Sequence, residues 1–312
     1  MSKLICMGEA LIDFMPGKEE LSFQGKAGGA PSNVCASVGK LGGEAYYLGM
    51  MAKDSFGEFL LDKLKACNVK TDYIEFTSKA GTGLAFVTHD KHGDRSFSFY
   101  RDPCADLLLD KSSVKDDMFS QGDVLHFCSV DLVDSPTKDA HTRAIEFARK
   151  NGAYVSFDVN LRLNIWKDDE KCLRVVREYL QYADIVKVTD EELSLITNEA
   201  DETKANKKLL EIAANAKLVF VTAGEKGSYV YDRKLNKKSV KPIPTNVVDT
   251  TGAGDCYSGI VIYNLLNRED KNKETLTIEE GEKYMHMANK GCAVVVSKYG
   301  AMESMPTLEE IR

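Results

Sequence analysis

No C-x-x-C pair occurs among the eight cysteines of this 312-residue sequence. Their scatter excludes a zinc ribbon, and it reads as incidental thiols in a reducing compartment rather than a disulfide frame. Basic residues are in deficit: 41 Lys and Arg against 48 Asp and Glu leave a net charge of −7. Such a chain lacks the basic face that replaces counterions on nucleic acid, so any anionic substrate must be held at a local site. His89 and His92, in HDKHGD, have no Cys or second His pair beside them and predict a turn rather than a metal centre. No apolar run approaches membrane-spanning length, and MSKLICMGEALID has neither a basic region nor a long apolar core; the expectation is a cytoplasmic protein. Low-complexity segments and internal repeats are missing too. So are two phosphate-loop templates: Gly39-Lys40 is followed by Leu41, which rules out G-x-x-x-x-G-K-[ST], and Tyr257 occupies the place of the third glycine in G-x-G-x-x-G. GEALID after the first strand gives no dinucleotide fingerprint either, which argues against a dehydrogenase.

What is present is an ordinary globular composition, 43% hydrophobic and 29% charged, in a chain long enough for one large domain. Buried-strand runs are predicted at Leu4–Met7, Tyr46–Met50, Val124–Phe127, Tyr154–Asp158, Ile185–Val188 and Lys217–Thr222. Helical spacing lies between them: after Ser55, after Ser135, and over Lys171–Tyr182 and Lys204–Ala214. Strands alternating with helices imply an α/β fold, a three-layer sandwich with a mostly parallel central sheet. Two stretches break the rhythm, Leu11–Gln24 and Gly83–Arg101, the second a hairpin turning at Lys91–Asp94. They predict a small β-sheet lid on a single domain spanning residues 1–312, built from about 11–27 and 83–101. Leu84, Phe86 and Val87 in one arm, with Phe97, Phe99 and Tyr100 in the other, put large apolar groups on both lid faces. One face suits a ligand and the other a second copy of the chain. The charged run 267–283 reads as a solvated loop.

The chemistry concentrates in VVDTTGAGDCYSG (247–259). A polar turn leads through Gly252, Ala253, Gly254 and Asp255 into a helix whose small first-turn residues leave its N–H groups open to an anion, typically phosphate. A carboxylate there repels phosphate, so Asp255 needs another task. General-base catalysis on an attacking hydroxyl supplies one; capping its own helix is the other reading of the tetrapeptide taken alone.

DTTGAGD (249–255) resembles the C-terminal signature of the ribokinase-like (PfkB) carbohydrate kinases, and AGGAPSNV (27–34) resembles the N-terminal one. GEALID (8–13), the D-x-F-G turn (54–57), FYRDPCAD (99–106), DVNLR (158–162), the segment at 187–192 and TAGEKG (222–227) follow the family order along nearly the whole chain. FYR…AD and D-x-N-L-R…W most resemble bacterial fructokinases. The resemblance implies an ATP-dependent sugar kinase that uses magnesium and a monovalent cation such as potassium. It makes Asp255 the base, with the N–H groups of Gly252, Ala253 and Gly254 and the guanidinium of Arg162 around the transferring phosphate. Asp13, Gly28, Gly29, Asn33 and Arg101 would meet the sugar, and Lys187, Thr222, Gly224, Gly227 and Asn289 the ATP. Glu192 would hold magnesium through water, and Asp249 with Thr251 would form part of the potassium site. Thr189 stands where the family often has Asn. Fructose is the first substrate expected, with 2-keto-3-deoxygluconate or another sugar the alternative, and a homodimer through the lid the expected assembly. A catalytically silent sugar-binding regulator on the same fold is the reading from another class.

Overall fold

A computed structural model of the chain describes residues 2–89 and 95–312, with side chains at 2–87 and 98–312. The turn expected at Lys91–Asp94, with His92, lies outside the described residues. The chain opens with β1 (Leu4–Met7), leaves for a second sheet with β2 (Leu11–Pro16) and β3 (Phe23–Gly28), and returns through α1 (Ala30–Lys40) to β4 (Ala45–Ala52). Helix α2 (Ser55–Ala66) begins where the Asp54 carboxylate caps it by accepting from the Gly57 N–H at 2.8 Å. After β5 (Ile74–Thr77) the chain leaves again for β6 (Gly83–His89) and β7 (Arg95–Tyr100). Then come β8 (Val124–Cys128), α3 (Pro136–Lys150), β9 (Tyr154–Asp158), the one-turn α4 (Leu163–Trp166), α5 (Asp169–Leu180), β10 (Ile185–Thr189), α6 (Asp190–Thr197), α7 (Glu202–Ile212) and β11 (Leu218–Thr222). An edge hairpin, β12 (Ser228–Asp232) and β13 (Lys237–Val240), precedes α8 (Ala253–Leu266), α9 (Ile278–Val296) and α10 (Leu308–Ile311).

The main sheet has nine strands in the order β13-β12-β11-β10-β9-β8-β1-β4-β5. Every pairing from β11 across to β5 is parallel; β12 and β13 add on antiparallel. The alternation of β1 shows why its residues are all apolar. Leu4 and Cys6 enter the core shared with α1, α8 and α9, while Ile5 and Met7 enter the core shared with α3, α5 and α7. A strand buried on both faces has no polar side. In the second core Phe127 and Phe157 stack at 4.8 Å, and each such fully buried ring stabilises the fold by roughly 2–3 kcal/mol.

The second sheet has the order β3-β2-β6-β7, with β2 antiparallel to β3 and parallel to β6. It joins both insertions in one four-stranded sheet, with β3 running to Gly28. Asp54 ties it to the body, accepting from the Thr82 N–H at 2.9 Å and the Thr82 hydroxyl at 2.7 Å.

Three elements depart from the sequence expectations. Strand β5 and the β12–β13 hairpin are edge elements whose short, mixed sequences show no long apolar run. The charged run 267–283 is a loop only as far as Leu276. Thr277 then caps α9 through a capping box with Glu280, so its last acidic residues are helical. All eight cysteines are free, and Cys292 alone among them is not fully buried.

Candidate active site

The first turn of α8 fixes the centre of the site. Gly252 is its N-cap with φ of 80°, and a Cβ there would lie 2.8 Å from Ala301 Cβ, so only glycine closes this turn. The Ala253 N–H donates to the Thr250 carbonyl at 3.2 Å. The next N–H groups, of Gly254 and Asp255, have no acceptor within the helix, so of the expected anion-binding groups Ala253 is the one whose N–H is already taken. A Cβ on Gly254 would sit 3.1 Å from Lys187 Nζ, which places that ammonium against the same turn. Upstream, Asp249 Oδ1 accepts from the Thr251 N–H at 2.9 Å and its hydroxyl at 2.6 Å, while Oδ2 accepts from the Gly300 N–H at 3.2 Å.

Helix α1 supplies the partner of Asp255. Its N-cap is Gly29, and one turn later Asn33 Nδ2 donates to Asp255 Oδ2 at 2.8 Å, joining residues 222 positions apart. Burial pushes the Asp255 carboxyl up to about 7; the Asn33 amide opposes this, the Asp158 carboxylate adds to it, and Lys187 and Arg162 oppose it. A carboxyl near 7 is poised to take a proton from a hydroxyl at neutral pH. Lys187, at the centre of β10, pairs with Asp158 Oδ1 at 3.1 Å, and Asp158 Oδ2 accepts from the Ser258 hydroxyl at 2.9 Å. Burial would lower the Lys187 ammonium, but Asp158, Glu192 and Asp255 together outweigh it and hold it above its usual value.

A second carboxylate lies on the lid side. Asp13 of β2 sits directly over β3, since a Cβ on Gly28 would fall 2.0 Å from Asp13 Oδ2. Burial raises Asp13 to about 7 against the pull of Arg162, with Glu9 and Asp249 adding to the rise. Arg162, the exposed N-cap of α4, thus acts on both Asp13 and Asp255. Arg101 does not join them. Its Nη2 is held by Asp106 at 2.7 Å and Asp131 at 2.6 Å, and the residue is only 7% exposed. Those two carboxylates neutralise its charge, as a buried guanidinium requires, while its Nε and Nη1 have no hydrogen-bond partner.

The remaining expected residues surround the far end of the cleft. Glu192 is the capping-box residue of α6: Oε2 accepts from the Thr189 N–H at 2.9 Å and Oε1 from the Leu161 N–H at 2.7 Å. Thr189 serves as a helix cap where Asn is common in the family. Thr222 ends β11, and the turn Gly224–Lys226 with Gly227 leads into β12. Asn289 of α9 reaches that turn, accepting from the Ser228 hydroxyl at 3.2 Å and donating to the Lys241 carbonyl at 3.0 Å. Sequence reasoning missed Glu9, Asp158 and Ser258. Glu9 Oε1 accepts from the Ala30 N–H at 2.9 Å and so holds the start of α1. The signal was there in GEALID and DVNLR, each with an acid at a strand end. A groove of about 680 Å³ beside α3, lined by Lys111, Asp139, Arg143 and Phe147 among others, contains none of these residues.

A sheet with a β lid, a bare glycine-rich helix start, and a carboxylate and an ammonium beside it are the parts of a phosphoryl-transfer enzyme for a polyol. Residues 1–308 match the pfkB family carbohydrate kinases, and the chain belongs to that family. It is 35% identical to fructokinase-2 of Solanum habrochaites over 98% of this chain and 94% of that one. The solved fructokinase of Xylella fastidiosa with bound ATP aligns with a TM-score of 0.92 and 34% identity, covering 99% of this chain and 96% of the other. The fructokinase of Vibrio cholerae O395 bound to fructose, ADP and calcium ion aligns at 0.90 and 30%, covering 100% and 99%.

Proposed function

We propose that this carbohydrate kinase transfers the γ-phosphate of ATP to fructose, giving fructose 6-phosphate, with Asp255 as the base. The observation that carries the reading is the Asp255 carboxylate itself, raised to about 7 and held by Asn33 one residue beyond Gly254. Asp255 takes the hydroxyl proton as the oxygen attacks the γ-phosphorus, whose bond to the β–γ bridging oxygen breaks so that ADP leaves. The N–H groups of Gly254 and Asp255, with Lys187 and Arg162, stabilise the transferring charge. Asp13, Asn33 and the backbone at Gly28 and Gly29 orient the sugar. Thr222, Gly224, Gly227 and Asn289 bound the nucleotide end. Among the described residues no group of three or more His, Cys, Asp or Glu is arranged for a metal, so magnesium would be carried on the phosphates, with Glu192 reaching it through water. When bound it neutralises phosphate charge. Asp249 and Thr251 supply hard oxygens suited to potassium beside the anion edge. Arg101, already held by Asp106 and Asp131, favours a neutral ketose over a sugar acid such as 2-keto-3-deoxygluconate. The half-exposed aromatic lid face favours a homodimer, and the eight free thiols a reducing, cytoplasmic setting. Asp255→Asn tests the base: turnover with fructose falls by about two to four orders of magnitude while ATP and fructose binding hold within a few-fold. A variant retaining more than roughly a tenth of wild-type turnover removes Asp255 from that role.

A further inference from the structure

We propose that Asp158 is a positioning residue of the phosphoryl-transfer site: fixed by Ser258, it pins the Lys187 ammonium beside Gly254 and keeps that cation off the Asp255 carboxylate. The inference rests on the reading of Asp255 as the base. Asp158 is 2% exposed and Lys187 9%, so the ammonium sits where it must have an ionised partner. Several acids face it. Asp158 comes from β9, Glu192 from α6 and Asp255 from α8. Glu192 is committed, with one oxygen on the Leu161 N–H and the other on the Thr189 N–H. Of the remaining pair, Asp158 holds Lys187 at 3.1 Å. Remove that carboxylate and the charges left to Lys187 are Glu192, held in place by backbone N–H groups, and the base on the helix start that Lys187 already faces.

Behind Lys187 the sheet offers the ammonium little else. A void of about 10 Å³ lies beside Lys187, bounded by Ser156, Tyr257, Ser258 and apolar side chains. That is about the space of one water, too little to hydrate a displaced ammonium. On the sheet behind it His126, buried with its Nδ1 on the Ser156 hydroxyl at 3.0 Å, is held down to about 3 by burial and by the Lys187 charge. It offers no negative partner. Ser258 lies three residues after Asp255 on α8, so its 2.9 Å bond ties Asp158 to the helix that carries both the base and the anion-binding N–H groups. Lys187 keeps donors free for a phosphate because Asp158 takes only part of its three-proton capacity.

The groups acting on Asp255 come from every neighbouring element. They are Asn33 from α1, Asp158 from β9, Lys187 from β10 and Arg162 from the loop after β9, with the neutral thiol of Cys6 in β1 nearby. Asp158 raises the Asp255 carboxyl and Lys187 lowers it. Losing Asp158 therefore acts twice in one direction, removing the first influence and releasing Lys187 to strengthen the second.

The test is the pH profile of kcat/KM for fructose in wild type, Asp158→Asn and Ser258→Ala, beside Asp255→Asn. Wild type is expected to lose activity on the acid side through about 7. In Asp158→Asn this limb moves down by about one pH unit and plateau kcat falls at least about tenfold. The KM for fructose stays within about threefold, since Asp13 and Asn33 are untouched, and the KM for ATP rises. Ser258→Ala moves the limb the same way by less. A merely structural role lowers the amount of active enzyme without moving the limb, so a folded Asp158→Asn with an unmoved limb overturns the proposal. Where Asp158→Asn fails to fold, Ser258→Ala decides by the same criterion. An active Asp255→Asn enzyme overturns the base reading and this inference with it; an inactive one beside an unmoved limb overturns this inference alone.

Discussion

The main sheet and the lid are both β structure, yet their side chains are divided differently. In the parallel strands both faces are dry: Leu4, Ile5, Cys6 and Met7 of β1 are each fully buried. In the lid one face carries Asp13 with Ala85 and Val87, the latter two buried. The opposite face carries Phe14, Phe23, Phe86 and Tyr100. Phe86 stacks on Phe14 at 4.7 Å and meets Phe23 and Tyr100 edge-on at 5.1 and 5.5 Å, and Tyr100 remains 65% exposed. The body is over-determined by packing from two sides and can hold a base and an ammonium to within tenths of an ångström. The lid sheet leaves part of its aromatic face open, as in elements of lower local stability. We expect chemistry to fail when the body is altered and binding to fail when the lid is.

The largest effect should come from Asp255→Asn, whose loss falls in kcat by about two to four orders of magnitude and leaves substrate affinity nearly intact. Gly254→Val comes next. Its Cβ already falls 3.1 Å from Lys187 Nζ, and the branch must displace either the ammonium or the phosphate. A fall in kcat/KM for ATP on the order of a hundredfold is expected, with fructose binding, read by calorimetry, unchanged. A folded Gly254→Val enzyme with normal ATP kinetics would separate the glycine turn from the phosphate and break the assignment of chemistry to the body.

The lid should answer in the other constant. Phe86→Ala removes the ring that stacks on Phe14 and so loosens β2, which carries Asp13 on its other face; the KM for fructose should rise about tenfold, the equivalent of ~1.4 kcal/mol, with kcat held. Tyr100→Ser should leave fructose KM alone and weaken the dimer, read by light scattering as a shift toward the 34.6 kDa of one chain. A kcat loss in Phe86→Ala would erase the contrast between the two sheets, and a wild-type mass of one chain at every concentration would leave the outer lid face as a cover alone.

Legibility in the sequence followed the same division. The body strands could be read because a strand buried on both faces is a continuous apolar run; the α8 start, where Asp could equally cap its own helix, took its reading from the family motifs that precede it. The lid could be read as a small sheet but not in its strand order: nothing in Leu11–Pro16 announces that it pairs with β3 on one side and β6 on the other. Arg101 was only half legible for a related reason. FYR…AD shows an arginine leaving the lid, but its capture by Asp106 and by Asp131, thirty residues away, depends on tertiary folding. Asp158 was overlooked because Arg162 in the same motif looked more like a ligand. Its value appears only when β9, β10 and α8 are brought side by side.

The smallest expected effect concerns stability and sharpens the contrast from the side of the body. The ordinary aspartate value is 3.8, and folding raises Asp255 to about 7, burial being the chief cause. Between those values the folded chain binds more protons than the unfolded one, so this group's contribution is most favourable below the lower value and is lost as pH rises through the upper one. Asp13 shifts in the same direction, so the unliganded enzyme should melt at lower temperature at pH 8 than at pH 5.5. Asp255→Asn isolates one of the two. Its amide cannot ionise, and its oxygen can still accept from Asn33 Nδ2. Between pH 5.5, inside that window, and pH 8, above it, the variant should gain about 1 kcal/mol on the wild type, a few degrees for a chain of this length. The figure is kept well below the full shift because Asp255 retains some solvent exposure. Calorimetric melts of both proteins across that pH range check it. A gain at pH 8 in a variant with no turnover would show that the body tolerates a destabilising charge at the site where it does its chemistry. A difference that stays the same at both pH values would mean that Asp255 carries no such strain.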